Sequence, residues 1–311
     1  MIEAKPEFVK RIEEMLGENE TRIFLEWIRK PLLPSIRVNI LKISEEELQK
    51  RLEKKWKIVK VFENAFVIKS NLLPGEIGKS LEHQLGYYYV QELASMMPPI
   101  VLTPHKEDIV LDLCAAPGSK TTEIAAFMEN QGTIIANDIR LDRITALNSN
   151  LERCGVSNTI VTRMNGITLC KKLAKAGFFF DKILVDAPCS GEGTIRSSPE
   201  TLKMWNINMI KGLASLQKKL VAAAIECLKP NGLLVYSTCT HAPEENELVV
   251  DFILKNFSVK LEKIKLPLKT RAGITEWQGQ KLNQELKKCI RIWPQDNDTE
   301  GFFISKIRKL K

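Results

Sequence analysis

Two cysteines stand in short stretches of small and polar residues. Cys189 lies in "DAPCSGEGTIR" (Asp186 to Arg196) and Cys239 in "YSTCT" (Tyr236 to Thr240), about fifty residues apart. A disulfide, a metal site, a redox pair or a nucleophile with a helper could each use such a pair. Seven cysteines is an odd number, and they are scattered through periodic segments behind the charged N-terminus "MIEAKPEFVKR". That usage argues for reduced thiols and against a disulfide framework. The chain has no C-x-x-C pair, and none of its three histidines sits at ligand spacing from cysteines, so no metal is expected. Covalent catalysis by a thiolate is the chemistry left to weigh against two inert, buried thiols.

The elements that would position these residues read as alternating strands and helices. "DIVLDLC" is a short apolar run ending in a turn, "SKTTEIAAFMEN" is helical, "GTIIAND" is a strand, and "RLDRITALNSNLERCG" is an amphipathic helix closed by Gly155. "NTIVTRMN", "FDKILVDAP" and "GLLVYSTCT" add three further strands. Between the last two lies a long helix, expected over roughly Ile207 to Leu228 with Ile210, Leu213, Leu216 and Leu220 on its apolar side, ending at "KPNG". Near-continuous apolar strands alternating with helices imply a parallel sheet covered on both faces. The first eighty residues read differently, as a small α+β unit: a helix "PEFVKRIEEML", an extended "SIRVNILK", a helix capped by Ser44 with Glu47 three residues on, and a strand-like "KIVKVFENAFVIKS". Two domains are therefore expected, residues 1–80 and 81–311.

In a parallel sheet the ligand sits beyond the carboxyl ends of the strands. Four such ends read Cys114-Ala115-Ala116-Pro117-Gly118-Ser119-Lys120, Asn137-Asp138, Asn165-Gly166 and Asp186-Ala187-Pro188-Cys189. Gly118 and its small neighbours let the backbone approach a ligand, and the helix that follows offers free N–H groups. Asp138 is placed to receive ribose hydroxyls. Neither G-x-G-x-x-G nor a Walker-type loop is present, so a nucleoside-bearing ligand without a pyrophosphate fits better than a dinucleotide.

Taken in order, "DLCAAPGSKT", "DAPCSGEGT", "YSTCT" with "PEEN", and "TEGFFISKI" resemble the RNA cytosine-5 methyltransferases of the Sun-domain (Fmu-like) family, of the archaeal tRNA type. "RVN" at Arg37 to Asn39 and "GYYYVQELAS" at Gly86 to Ser95 fit the same pattern. The resemblance implies a Rossmann-like S-adenosylmethionine-dependent fold with a mainly parallel seven-stranded sheet, the cofactor held by Cys114 to Lys120, Asp138 on the ribose, and Asp186 at the floor of the site. Arg143 is a further cofactor candidate. Asn165 stands where an adenine-contacting aspartate is usual, and Trp293-Pro294-Gln295 stands where the family carries "WPH".

Cytosine carbon 5 is a poor nucleophile until a thiolate adds at carbon 6 and makes the ring an enamine. By the resemblance Cys239 is that nucleophile and Cys189 assists its release; Asp186 is the acid near ring nitrogen 3, with Lys120 as its electrostatic partner. The Pro188-Cys189 pair resembles the nucleophile motif of the DNA enzymes, which would reverse the two roles. The expected substrate is tRNA, because no extra N-terminal helical domain of the bacterial ribosomal type precedes these motifs. Ribosomal RNA methylation and a non-catalytic RNA-binding assembly factor are the alternatives.

Bulk properties agree with an RNA partner. A formal charge of +8 attracts a polyanion, though a solvated Lys/Glu surface would carry the same charge. No apolar run reaches the ~20 residues of a membrane helix, and the chain reads as a cytoplasmic monomer. Tyr87 to Tyr89 could stack bases or be partly buried with one ring exposed.

Overall fold

The computed structural model describes residues 4–311. The chain forms two compact units, one of Leu33–Leu184 and one of Met1–Leu32 with Val185–Lys311.

The Leu33–Leu184 unit begins with an antiparallel sheet of β1 (Ser35–Val38), β2 (Ile58–Phe62), β3 (Ala65–Ile68) and β4 (Tyr88–Val90), in the order β2-β3-β1-β4. The run "KIVKVFENAFVIKS" is thus a hairpin and not one strand. It turns at Asn64, whose φ of 60° is tolerated by a short polar side chain. The helix Glu45–Leu52 starts where Ser44 accepts the N–H of Glu47, and it buries Leu48 and Leu52 against Ile36, Trp56 and Phe66.

Four parallel strands follow: β5 (Ile109–Asp112), β6 (Thr133–Asp138), β7 (Thr159–Arg163) and β8 (Phe180–Asp186), ordered β8-β5-β6-β7. The helices Ser119–Phe127, Leu141–Cys154 and Gly166–Lys175 come between them. The second of these turns Ile144, Leu147, Leu151 and Cys154 inward at helical spacing and closes on Gly155 at φ 73°. Strand β8 runs on into the other unit, where Ala187 just past its end donates to Ser237 O of the next strand at 3.0 Å.

That next strand is β9 (Leu228–Thr238). It is followed by β10 (Val259–Leu261), β11 (Arg271–Ala272), the small hairpin β12 (Glu276–Trp277) and β13 (Gln280–Lys281), β14 (Ile290–Ile292) and β15 (Phe302–Lys309). β15 is antiparallel to β9, β14 and β10, and β14 also pairs with β11. The fold is mixed α/β with the parallel block expected, and the central sheet has nine strands, since β10 and β11 add two short ones to the seven anticipated.

The long helix spans Ile207–Glu226, and "KPNG" belongs to β9. Ile210 and Leu220 are buried as expected, together with Ala214, Gln217, Val221 and Ala224, whereas Leu216 is exposed. A fully buried glutamine stands beside that exposed leucine. The helices Pro6–Leu16 and Glu18–Trp27 supply Phe8, Ile12 and Phe24 to a core shared with Ile195, Trp205, Ile210 and Trp293. Phe24 sits edge-on to Trp293 at 5.7 Å. Replacing Phe24 by Ala should lower the unfolding free energy of the full chain by about 3–5 kcal/mol, read from a denaturant titration; an unchanged midpoint would show that the N-terminal helices lie outside this core.

Candidate active site

In the Leu33–Leu184 unit, one asparagine ties three loops together. Asn137 donates to Leu113 O at 3.1 Å and Met164 O at 3.0 Å, and accepts from Thr162 Oγ1 and Met164 N. Every hydrogen-bonding site of this buried amide is used, so the chain ends of β5, β6 and β7 are fixed relative to one another. The loop Cys114 to Lys120 is held at Ala115, which donates to Asn137 O at 2.8 Å. It contains the cis peptide Ala116–Pro117, and Gly118 has φ 103°. A Cβ on Gly118 would lie 2.8 Å from Leu147 Cδ1, so both backbone angle and space require glycine there.

Asp138 is buried at the end of β6. Its Oδ1 accepts Arg140 N at 3.1 Å, while Oδ2 accepts no hydrogen bond and lies 3.3 Å from Arg143 Nη1. Arg143 also donates to Ala116 O, joining the first loop to this carboxylate. A buried carboxylate oxygen with vacant lone pairs fits a diol donor such as ribose. Lys120 donates to Ser95 Oγ at 3.0 Å. Arg37 of "RVN" holds the helix that starts at Ser119, donating to Ser119 O and Thr122 Oγ1 and pairing with Glu123 at 2.9 Å. Burial pushes the Glu123 carboxyl up to about 7 against that ion pair. Asn165 caps the helix Gly166–Lys175, its Oδ1 accepting from Ile167 N and Thr168 N, which leaves its amide N–H groups for other partners. Of the tyrosine triplet, Tyr88 and Tyr89 are buried and Tyr87 is half-buried.

In the other unit, Cys189 Sγ and Cys239 Sγ are 3.3 Å apart, both as free thiols. The hydrogen bond to Cys239, then burial and the charges of Cys239 and Glu245, push the Cys189 thiol well above the ordinary range. The raised value favours the protonated form of Cys189, and either sulfur can be the donor in the contact. Asp186 accepts Ser237 Oγ at 2.8 Å, two residues before Cys239. Gly193 N–H donates to Cys239 O at 2.9 Å, and a Cβ on Gly193 would lie 2.2 Å from Gly301 O, so this loop packs backbone on backbone. His241 stacks on Trp293 at 4.1 Å, and burial lowers its pKa to about 3, so it is a neutral packing residue. Among the described residues no cluster of His, Cys, Asp and Glu could hold a metal ion.

Sequence reasoning missed the residues that hold the two thiols. Glu245 accepts Ser190 N at 3.0 Å, Ser190 Oγ, and Gln217 Nε2 at 2.8 Å. Asn246 accepts Thr238 Oγ1 at 2.5 Å and donates to Thr240 O at 2.9 Å. Arg11 reaches Glu244 with both guanidinium nitrogens, at 3.1 and 2.6 Å. The signals were present: "PEEN", and a glutamine in the core phase of a helix.

Residues 99–308 match the family model of the 16S rRNA methyltransferase RsmB/F, and residues 5–93 match the N-terminal domain of 16S rRNA methyltransferase RsmF. The chain belongs to the RsmB/F methyltransferase family. Among RsmB/F relatives, the tRNA (cytosine(49)-C(5))-methyltransferase of Pyrococcus abyssi is 45% identical over 98% of both chains. The ribosomal RNA small subunit methyltransferase F of Vibrio atlanticus is 40% identical over 98% of this chain, which spans 63% of that protein's length. A solved methyltransferase homolog from Pyrococcus horikoshii superposes with a TM-score of 0.87 at 38% identity, covering 98% of this chain and 95% of its own. NSun6 from the same organism gives 0.83 at 26% identity, covering 99% and 98%.

Glu245 links this RsmB/F site to pH. Burial pushes its carboxyl up to about 7 although Ser190 and Gln217 donate to it. The folded chain then keeps a proton that the unfolded chain releases near 4.5, so this group's contribution to stability falls as pH rises from about 4.5 through about 7. Glu245→Gln should remove that fall, on the order of 1–3 kcal/mol between pH 5 and pH 8. Urea midpoints of both proteins at the two pH values test it, and parallel pH dependences would contradict it.

Proposed function

We propose that the protein transfers the methyl group of S-adenosylmethionine to carbon 5 of cytosine in RNA, with tRNA as the substrate, through a covalent bond between Cys239 and the base. The observation that carries this reading is the pair of free thiols 3.3 Å apart. The 45% identity to a tRNA cytosine-5 methyltransferase over nearly the whole of both chains supports the substrate. The +8 charge supports a polyanionic partner, and the basic N-terminal residues, within 1–80, are assigned part of RNA binding.

When bound, S-adenosylmethionine supplies a methyl group on a sulfonium and leaves as a neutral thioether. Asp138 with its vacant Oδ2 takes the ribose hydroxyls, Arg143 keeps that carboxylate against the first loop, and Cys114 to Lys120 line the donor. Asn165 is assigned to the adenine through its amide N–H groups.

Cys239 thiolate adds to carbon 6, and the carbon 5–carbon 6 π pair becomes the enamine that takes the methyl group. Asp186 donates a proton toward ring nitrogen 3 as charge develops there, and Lys120 is assigned its electrostatic support. The proton on carbon 5 then leaves to water, its electron pair re-forms the double bond and expels Cys239, and the proton on ring nitrogen 3 returns to Asp186. Cys189 hands its proton to the departing sulfur, a transfer that the 3.3 Å separation permits.

Cys239→Ala should lose methyl transfer by about 10³-fold or more and form no adduct. Cys189→Ala should still add and methylate but accumulate a denaturant-resistant protein–RNA band. A band with Cys239→Ala and none with Cys189→Ala would reverse the two roles; full turnover by both would reject covalent catalysis. Asp138→Ala should weaken S-adenosylmethionine binding at least about tenfold in calorimetry, the loss of a charged hydrogen-bond acceptor, while Cys239→Ala leaves it intact. Equal affinity of Asp138→Ala and wild type would remove Asp138 from the ribose site.

A further inference from the structure

Gln217 is fully buried on the inward stripe of the helix Ile207–Glu226, where its neighbours in phase are Ala214 and Val221. Its Oε1 has no hydrogen-bond partner, an arrangement that costs stability in a buried amide. Both amide hydrogens are spent instead on two targets, Pro188 O at 2.9 Å and Glu245 Oε2 at 2.8 Å. Glu245 in turn accepts the N–H of Ser190 at 3.0 Å and the Ser190 hydroxyl. Pro188 and Ser190 are the two residues on either side of Cys189.

The neighbouring residue does the same for the other thiol. Asn246 accepts from Thr238 Oγ1 and donates to Thr240 O, which are the residues on either side of Cys239. A hydroxyl contact at 2.8 Å, Ser190 Oγ to Thr240 Oγ1, then joins the two brackets. Adjacent residues of one segment thus grip the flanks of both cysteines without touching either sulfur.

We propose that Gln217 and Glu245 are positioning residues for the release step, holding the flanks of Cys189 so that its thiol stays at proton-transfer distance from Cys239. The proposal rests on the covalent reading above, in which Cys189 protonates the departing sulfur. No bond to substrate is made by Gln217 or Glu245; they act through Pro188 and Ser190. The addition step belongs to Cys239, whose bracket is Asn246, so loosening the Gln217 side leaves addition and methyl transfer largely intact while release slows. A residue that served packing alone would not divide the two steps in this way.

The test uses the full chain, an unmodified tRNA transcript and S-adenosylmethionine, with Cys189→Ala as the reference. Gln217→Met keeps the volume and removes both donors; Glu245→Gln keeps the shape but turns an amide toward the Gln217 amide. For each variant, single-turnover methyl transfer, steady-state turnover and the denaturant-resistant band are measured beside thermal unfolding. The expected result is steady-state turnover reduced at least about tenfold, as for loss of a buried hydrogen bond to a charged group, with single-turnover methylation within about threefold of wild type and a band approaching that of Cys189→Ala. Normal turnover, or methyl transfer and turnover falling together without a band, would overturn the proposal. If Gln217→Met does not fold, Glu245→Gln decides by the same criteria. Absence of the band in Cys189→Ala itself would instead reject the release role of Cys189, and the proposal with it, whereas its presence there alone rejects only the positioning role.

Discussion

Two sulfur atoms 3.3 Å apart, unbonded, are useful only while the loops that bear them are held by something other than the sulfurs. In this chain that task falls to a buried polar network running from Gln217 through Glu245, Ser190 and Thr240 to Glu192 and the Trp205 indole N–H. Buried polar groups are tolerated because nearly every one finds a partner, and such networks fix geometry more sharply than apolar contacts do. The rest of the unit is arranged around this network. Tyr236 donates to Glu245 O, Gly193 packs against Gly301, and Arg291 pairs with Glu247 in full burial. The contact with Cys239, and then burial in the same enclosure, raise the Cys189 thiol.

The donor-binding loops obey the same logic with a different anchor. Asn137 saturates its hydrogen bonds on the chain ends of three strands, so the neighbouring Asp138 can leave one oxygen vacant. Rigid supports surround a residue that is itself incompletely satisfied, which is the arrangement a binding site needs. Arg37 extends it by fixing the first turn of the helix after Gly118.

Much of this was legible in the sequence because it depends on local rules. Apolar strand runs ending in Gly, Asn or Asp gave the parallel block and its loops, and the order of "DLCAAPGSKT", "DAPCSGEGT" and "YSTCT" gave the family. Hidden from that reading were features set by long-range pairing. The hairpin at Glu63-Asn64 reads as one strand because its turn is only two residues long between two apolar runs. On the long helix Ile210 and Leu220 are buried as their spacing predicts, but Leu216 is apolar and exposed while Gln217 is polar and buried among partners far away in sequence. The short strands β10 and β11 lack any periodicity of their own and exist through their pairing with β15 and β14.

The core that includes Trp205 and Trp293 also contains Phe8 and Phe24, so one compact unit is assembled from Met1–Leu32 and Val185–Lys311, with Leu33–Leu184 intervening. During synthesis the intervening residues are all available before that core can close. The loop-closure entropy of bringing these segments together therefore falls on the discontinuous unit. Phe8, Ile12 and Phe24 are separated from their core partners Ile195, Trp205, Ile210 and Trp293 by the whole of Leu33–Leu184. Residues 245 and 246, which hold the thiol pair, lie in that same unit, so both cysteines sit in a unit whose core requires residues from both sides of Leu33–Leu184.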